Sequence, residues 1–260
     1  SFLLNWILNK ILKSNPKVLL TVLDKGGSYK EFSKSLTDSQ YLDVNLENIT
    51  PIQIFPDSSD INEDQLEKLA GILYLIGENS TETDIPERHL YLIEIIVRKF
   101  YEQERSNITL EIFYSFFEEQ FKNTEDSEDR SYLSKTSRGI QMYSDKRTKF
   151  YPIFNSKNSV SVTSNYLFFE LSGLENHPKL QSIYFFLIQN IIDIRMYRLS
   201  KQGYRQIVIF DECWSFLDTA IAVKMIKKLY KTARKYGNTI FAISQSTTDF
   251  LDCLVSDGII

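Results

Sequence analysis

The hydrophobic rhythm of this chain changes along its length. Residues 17–24, Lys-Val-Leu-Leu-Thr-Val-Leu-Asp, form a nearly continuous apolar run ending on an acid. A short run of this kind predicts a strand buried on both faces of a parallel sheet. Residues 1–12 before it carry apolar positions at helical spacing, and Asn15-Pro16 stops that helix. Gly26-Gly27 predicts a turn, residues 29–36 a short helix, and the alternation over 41–46 a further strand. Pro51 and Pro56 bracket a loop.

From residue 62 to about 121 the period becomes helical. Leu66, Leu69, Ile72, Leu73 and Ile76 share one stripe, and Leu90, Ile93, Ile96 and Val97 another. Leu110, Phe113, Phe116, Phe117 and Phe121 make a third, whose aromatic rings suit a core. Three or more helices are expected here. The acidic run 124–129 predicts an exposed loop. Residues 151–162 read as a hairpin with 155–158 at its tip. Strands and helices then alternate: strand 166–171, helix 178–199, strand 206–210, helix 220–236 closed by Gly237, and strand 239–243. That order predicts parallel βαβ units. The pattern divides the chain into the first part of an α/β core (1–60), an all-helical insertion (61–150) and the second part of the core (151–260).

Composition narrows the classes. With 43% hydrophobic residues in 260, the chain can build a core and general disorder is excluded. A net charge of −4 argues against non-specific nucleic-acid binding by the chain as a whole. Residues 135–149 are locally basic, through Lys135, Arg138, Lys146, Arg147 and Lys149. They suit either a solvated surface or contact with nucleic acid or an acidic partner. Cys213 and Cys253, with His89 and His177, have no metal-binding spacing, and a reduced setting is expected. The most apolar helix, 183–199, is interrupted by Gln189, Asn190, Asp193 and Arg195, so it reads as a buried helix and no transmembrane segment is expected in this chain.

Candidate chemistry concentrates at Arg205-Gln-Ile-Val-Ile-Phe-Asp211-Glu212-Cys-Trp214. A buried strand tipped by two acids is the Walker B arrangement, in which the first acid supports Mg²⁺ and the second polarises the attacking water. Such a pair also serves simply to cap a following helix. Gln245, after the next strand, is placed to contact a γ-phosphate or to be a turn residue. The phosphate cradle G-x-x-x-x-G-K-[ST] is absent, and Gly26-Gly27-Ser28 lacks its lysine. Ser1, followed directly by an apolar helix, reads as the last residue of such a cradle.

The segments Ser-Phe-Leu-Leu-Asn at 1–5, Leu-Asp-Lys-Gly-Gly-Ser-Tyr at 23–29, Phe-Glu-Leu-Ser-Gly-Leu at 169–174, Ile-Phe-Asp-Glu-Cys-Trp at 209–214, Ala-Arg-Lys-Tyr-Gly at 233–237 and Ser-Gln-Ser-Thr-Thr-Asp-Phe-Leu at 244–251 occur in family order. Together they resemble the motor domain of conjugative type IV secretion ATPases of the TraC and VirB-four type, in the HerA/FtsK-like branch. The resemblance implies an α/β fold with a RecA-like P-loop NTPase core, a mainly parallel central sheet and an all-helical insertion. It implies ATP and Mg²⁺ as cofactors. Ser1 and Asp211 would hold the metal, Glu212 would activate water, and Gln245 would sense the γ-phosphate. Arg234 resembles a residue near a neighbouring subunit's nucleotide, although a cation closing a helix suits it equally. Cys213 stands where the family usually has a small residue. A homo-oligomer, a hexamer, is implied, peripheral at the cytoplasmic side of the inner membrane, with secretion inner-membrane components as partners and DNA or relaxosome contact. The alternatives are a DNA-translocating coupling protein and a non-catalytic assembly module. Without cradle glycines and lysine, this chain alone is expected to be inactive.

Overall fold

A computed structural model describes residues 2–47, 51–52, 54–55, 61–77, 87–103, 108–156, 164–212 and 220–244. The chain forms two compact units, Ser1–Asn48 with Ser161–Ile260, and Ile49–Val160. The helical unit is thus wider on both sides than the span 61–150 predicted from the pattern.

The first unit is built on β1 (Val18–Asp24), β2 (Ser39–Asp43), β3 (Tyr166–Glu170), β4 (Arg205–Asp211) and β5 (Thr239–Ile243). All pair in parallel, in the order β2-β3-β1-β4-β5. β1 and β3 are buried at every residue, as their continuous apolar runs require. Alternate residues face opposite sides of the sheet. Val18, Leu20, Val22, Tyr166, Phe168, Ile207 and Ile209 pack with Leu8 and Leu12 of α1 (Phe2–Ser14) and Phe32 of α2 (Lys30–Lys34). Phe210 turns to the other face and meets Phe185 of the long helix Pro178–Ser200, with ring centroids 6.1 Å apart.

That long helix explains its own polar interruptions. Arg195 is 1% exposed and donates to Thr21 Oγ1 at 3.2 Å and to the Asn165 carbonyl at 2.6 Å. A buried cation tied to the sheet in this way marks a core helix. None of the described helices is long and apolar enough to cross a membrane.

The second unit contains α3 (Glu63–Gly77), α4 (Glu87–Tyr101), α5 (Leu110–Lys122), α6 (Ser127–Ser144) and α7 (Tyr151–Asn155), so the long helix of the first unit is α8. The predicted aromatic core is present. Phe113 and Phe117 are fully buried, and Phe100 stacks edge-on against Phe113 at 5.2 Å. Two local expectations fail. The acidic run is not an exposed loop throughout. Asp126 accepts hydrogen bonds from the Glu128 and Asp129 amides and caps α6, whose first turn carries those two acids. Acids at a helix N-terminus satisfy orphan amides and complement the dipole, so this sequence starts a helix. The expected hairpin is also replaced at its start by the helix α7, where Pro152 sits in the first turn and Asn155 donates back to the Tyr151 carbonyl at 2.7 Å. Residues 157–158 of its expected tip lie outside the described residues.

α3 and α6 cross with almost no space. A Cβ on Gly139 would sit 1.9 Å from the Gly77 carbonyl oxygen, so no side chain fits there without moving a helix. Beside the crossing, His89 is 2% exposed and its Nε2 lies 2.6 Å from Thr136 Oγ1. Burial, with Lys135 nearby, lowers its pKa to about 4.

Candidate functional site

The parallel register lines up strand ends. Asp43 pairs with Glu170, Glu170 with Asp24, and Leu23 with Phe210, which brings Asp24 beside Asp211. Four adjacent strands therefore carry an acid at their carboxyl tips. The connection after β1 leads toward β2, whereas α9 (Ala220–Lys235) leads from β4 outward to β5. Connections that diverge between neighbouring strands open the ligand crevice of a parallel α/β sheet. Asp24 and Asp211 stand at that point.

The acids are held very differently. Glu170 accepts from the Gly26, Gly27 and Ser172 amides. The turn after β1 is thus folded around this carboxylate, with Gly26 and Gly27 at φ 124° and 71°, where L-residues are strained. Its amides, which resemble the start of a phosphate cradle, are already taken by a side chain. Asp24 is 1% exposed. The Ser28 and Tyr29 amides approach its carboxylate and favour the charged form, but among the described residues neither oxygen has a well-aligned hydrogen-bond partner. Burial above all, then the neighbouring Glu170 and Asp211 charges, raises its pKa from 3.8 to about 7. Asp211 accepts at Oδ2 from the buried Tyr29 hydroxyl at 2.9 Å. Burial and the Asp211 charge push the Tyr29 phenol far above its usual range, so it stays a donor.

Glu212 ends β4 at φ 57°, a left-handed conformation that non-glycine residues rarely adopt. Its amide donates to the Ile243 carbonyl at 3.0 Å, which fixes the kink to β5. Backbone held in this region tends to mark working sites. The register Asp211↔Ile243 also brings the end of β5 beside the acid pair. Gln245, two residues further on, lies outside the described residues, as does Ser1, one residue before α1. Cys213 and Cys253 lie outside them too.

Arg234 is placed elsewhere. It is exposed on the last turn of α9, which closes through Gly237 N–H to the Arg234 carbonyl and Asn238 N–H to the Ala233 carbonyl. Asn238 then accepts from the Gln206 amide at 2.7 Å, at the start of β4. Arg234 therefore sits at the amino edge of the sheet, separated from Asp211 by the seven residues of β4, roughly 20 Å at strand rise. It cannot reach its own chain's Asp211. On α9, Lys228, Lys231 and Lys235 are also exposed. In the basic segment 135–149, Lys146 pairs with Glu111 at 2.9 Å and Arg147 with Asp145 at 2.6 Å, which answers part of its charge locally.

No group of three potential ligands for a metal ion converges among the described residues. Mg²⁺ does not need one, because it is usually bound by one or two carboxylates together with waters and substrate phosphates. Asp211, 9% exposed at the crevice, fits that pattern, whereas Glu170 is consumed by amides and Asp24 is enclosed. Sequence reasoning placed Asp211 and Glu212 at a strand tip, as the structure has them, but gave no sign of the Tyr29–Asp211 bond beyond a tyrosine within the segment 23–29.

The chain matches the TraG P-loop domain family over residues 1–260. It is 26% identical over 239 residues to Protein TraC of Escherichia coli (strain K12), covering 88% of this chain and 26% of that protein. The chain thus spans about a quarter of the length of that relative. VirB4 of Thermoanaerobacter pseudethanolicus superposes with a TM-score of 0.69 at 16% identity, covering 98% of this chain and 69% of that one. The plasmid coupling protein TrwB, solved with a non-hydrolysable GTP analogue, reaches 0.49 at 13% identity over 93% of this chain and 66% of its own. An α/β fold with a parallel sheet, the alignment of the acid tips and a match along the whole chain lead to one assignment: this chain belongs to the TraG P-loop domain family.

Proposed function

We propose that this chain is the motor domain of a type IV secretion or conjugation ATPase, in which ATP hydrolysis at the carboxyl edge of the sheet powers pilus assembly or substrate transfer. The observation that carries this reading is the Asp211-Glu212 pair at the divergence of β1 and β4, with Glu212 in a left-handed turn. Asp211, with the Ser1 hydroxyl, would hold Mg²⁺, which would supply neutralisation of phosphate charge. Glu212 orients the attacking water and accepts its proton. Gln245 contacts the γ-phosphate.

The pattern G-x-x-x-x-G-K-[ST] does not occur within these 260 residues. The isolated 260 residues accordingly turn over negligible ATP. Subunits form a hexamer at the cytoplasmic face of the inner membrane, docked on inner-membrane secretion components. Arg234, remote from its own Asp211, serves the nucleotide of the adjacent subunit. Exposed Lys135 and Arg138 on α6 provide the contact to DNA or a relaxosome.

The test is steady-state hydrolysis by the full-length oligomer. Glu212→Gln is expected to lower turnover at least 100-fold while nucleotide still binds, a loss typical of removing a water-activating group. Unchanged turnover would refute the assignment. Mixing inactive Arg234→Ala and Glu212→Gln subunits should restore measurable activity, because some interfaces then join an intact arginine to an intact glutamate. No recovery would remove Arg234 from this role.

A further inference from the structure

Tyr29 lies outside the acid pair, yet it is built into it. It is fully buried just before α2, with its ring 6.2 Å from Phe168. Phe32, one turn later, packs edge-on against the same Phe168 at 6.0 Å. Both rings thus pack against Phe168, one of them without a hydroxyl. Tyr29 adds one atom to that packing, and the atom is spent on the Asp211 carboxylate across 182 residues of sequence.

The bond is directed from both ends. On one side Glu170, at the tip of β3, gathers the Gly26 and Gly27 amides. That closes the turn, and the Lys30 amide then reaches the Gly27 carbonyl at 3.3 Å and the Ser33 amide the Tyr29 carbonyl at 2.8 Å. The backbone that carries Tyr29 is thereby fixed to β3. On the other side Asp211 is fixed by β4. Alternation places Asp24, Glu170 and Asp211 on the same face of the sheet as Val22, Phe168 and Ile209, the face on which Tyr29 packs. A carboxylate has two oxygens and free rotation about its last bond. A donor on Oδ2 stops that rotation and reserves Oδ2, which leaves Oδ1 as the oxygen for an outside ligand.

We propose that Tyr29 is a positioning residue for the metal-holding carboxylate: its hydroxyl locks Asp211 in the orientation that presents Oδ1 to the nucleotide-bound divalent cation. The inference rests on the reading of Asp211 as a metal ligand. Outer hydrogen bonds to ligating carboxylates commonly govern metal affinity by 10- to 100-fold. A buried tyrosine that merely satisfied its own hydroxyl would leave cation affinity alone.

The test uses the full-length protein with a saturating non-hydrolysable ATP analogue and Mn²⁺ as the probe, free Mn²⁺ being followed by electron paramagnetic resonance. Three variants are compared with wild type: Tyr29→Phe, Asp211→Asn and Tyr41→Phe. Tyr41 is a second tyrosine on the same sheet face, and no bond joins it to Asp211 among the hydrogen bonds described for these residues. Tyr29→Phe should weaken Mn²⁺ binding roughly 10-fold. Its affinity for the analogue in the presence of a chelator should equal wild type, and its circular dichroism spectrum should be unchanged. Tyr41→Phe should bind Mn²⁺ as wild type. Wild-type Mn²⁺ affinity in Tyr29→Phe, or equal weakening in both tyrosine variants, would overturn the inference. If Asp211→Asn loses Mn²⁺ while Tyr29→Phe does not, only the role of Tyr29 falls. If Asp211→Asn keeps wild-type affinity, the reading of the metal site falls with it.

Discussion

Asp24→Asn removes a charge that folding opposes. In the folded chain this carboxyl titrates at about 7, against 3.8 when exposed, chiefly because it is enclosed and then because Glu170 and Asp211 stand beside it. The folded state therefore holds a proton that the unfolded state releases. Any benefit of the protonated acid is complete below 3.8 and is lost as pH rises through 7. At about 1.36 kcal/mol per unit, the penalty on the wild type is about 1.6 kcal/mol at pH 5 and about 4 kcal/mol at pH 8. Asparagine has the same outline and no charge, so it escapes both. Urea unfolding of the 260-residue chain, without metal or nucleotide and followed by circular dichroism, should show Asp24→Asn more stable than wild type by about 4 kcal/mol at pH 8. The gain should shrink by more than half at pH 5. A gain independent of pH, or a loss at pH 8, would refute the account of Asp24 as an enclosed acid whose charge is poorly compensated. Natural sites carry such penalties where function needs a destabilised group.

Two further predictions concern the helical unit. Gly139→Ala places a methyl group against the Gly77 carbonyl, where a Cβ would sit at 1.9 Å, and should cost about 3 kcal/mol or more in urea unfolding; a change under about 0.5 kcal/mol would contradict the crossing. His89, with its pKa lowered from 6.5 to about 4, is buried neutral, so its contribution is full above 6.5 and is lost as pH falls toward 4. Between pH 6.5 and 4 the wild type should lose about 3 kcal/mol of stability relative to His89→Gln in pH-resolved unfolding; a difference between the two proteins that does not change with pH would exclude His89 as its source.

β1, β3 and β4 were legible because burial leaves a continuous apolar run, and their bounds agree to within one residue; residues 239–243 match β5 although that strand is only partly buried, and the alternation over 41–46 starts two residues late and ends three residues late against β2. The place of Asp211 and Glu212 at the end of β4 was legible because an apolar run that stops on two acids marks a strand tip. Capping chemistry was misread. The Thr-Glu-Asp-Ser-Glu-Asp stretch looks like a solvated loop by composition, and only the geometry of Asp126 shows that it begins α6. The Tyr29–Asp211 bond was hidden for another reason. Its two ends are 182 residues apart, and nothing local distinguishes a core tyrosine from one that donates to a carboxylate. The contrast between Glu170, Asp24 and Asp211 was equally invisible, because three acids at like strand ends differ only in which amides and hydroxyls reach them.

The central claim, that the nucleotide's metal sits at the carboxyl tip of β4, can be tested by affinity cleavage. Fe²⁺ is substituted for Mg²⁺ in the full-length protein with bound ATP analogue, and ascorbate and peroxide then cut the backbone next to the metal. Mass spectrometry should locate a nucleotide-dependent cut at Asp211-Glu212 that Asp211→Asn abolishes. Cuts confined to other segments, with residues 211–212 intact, would contradict the account.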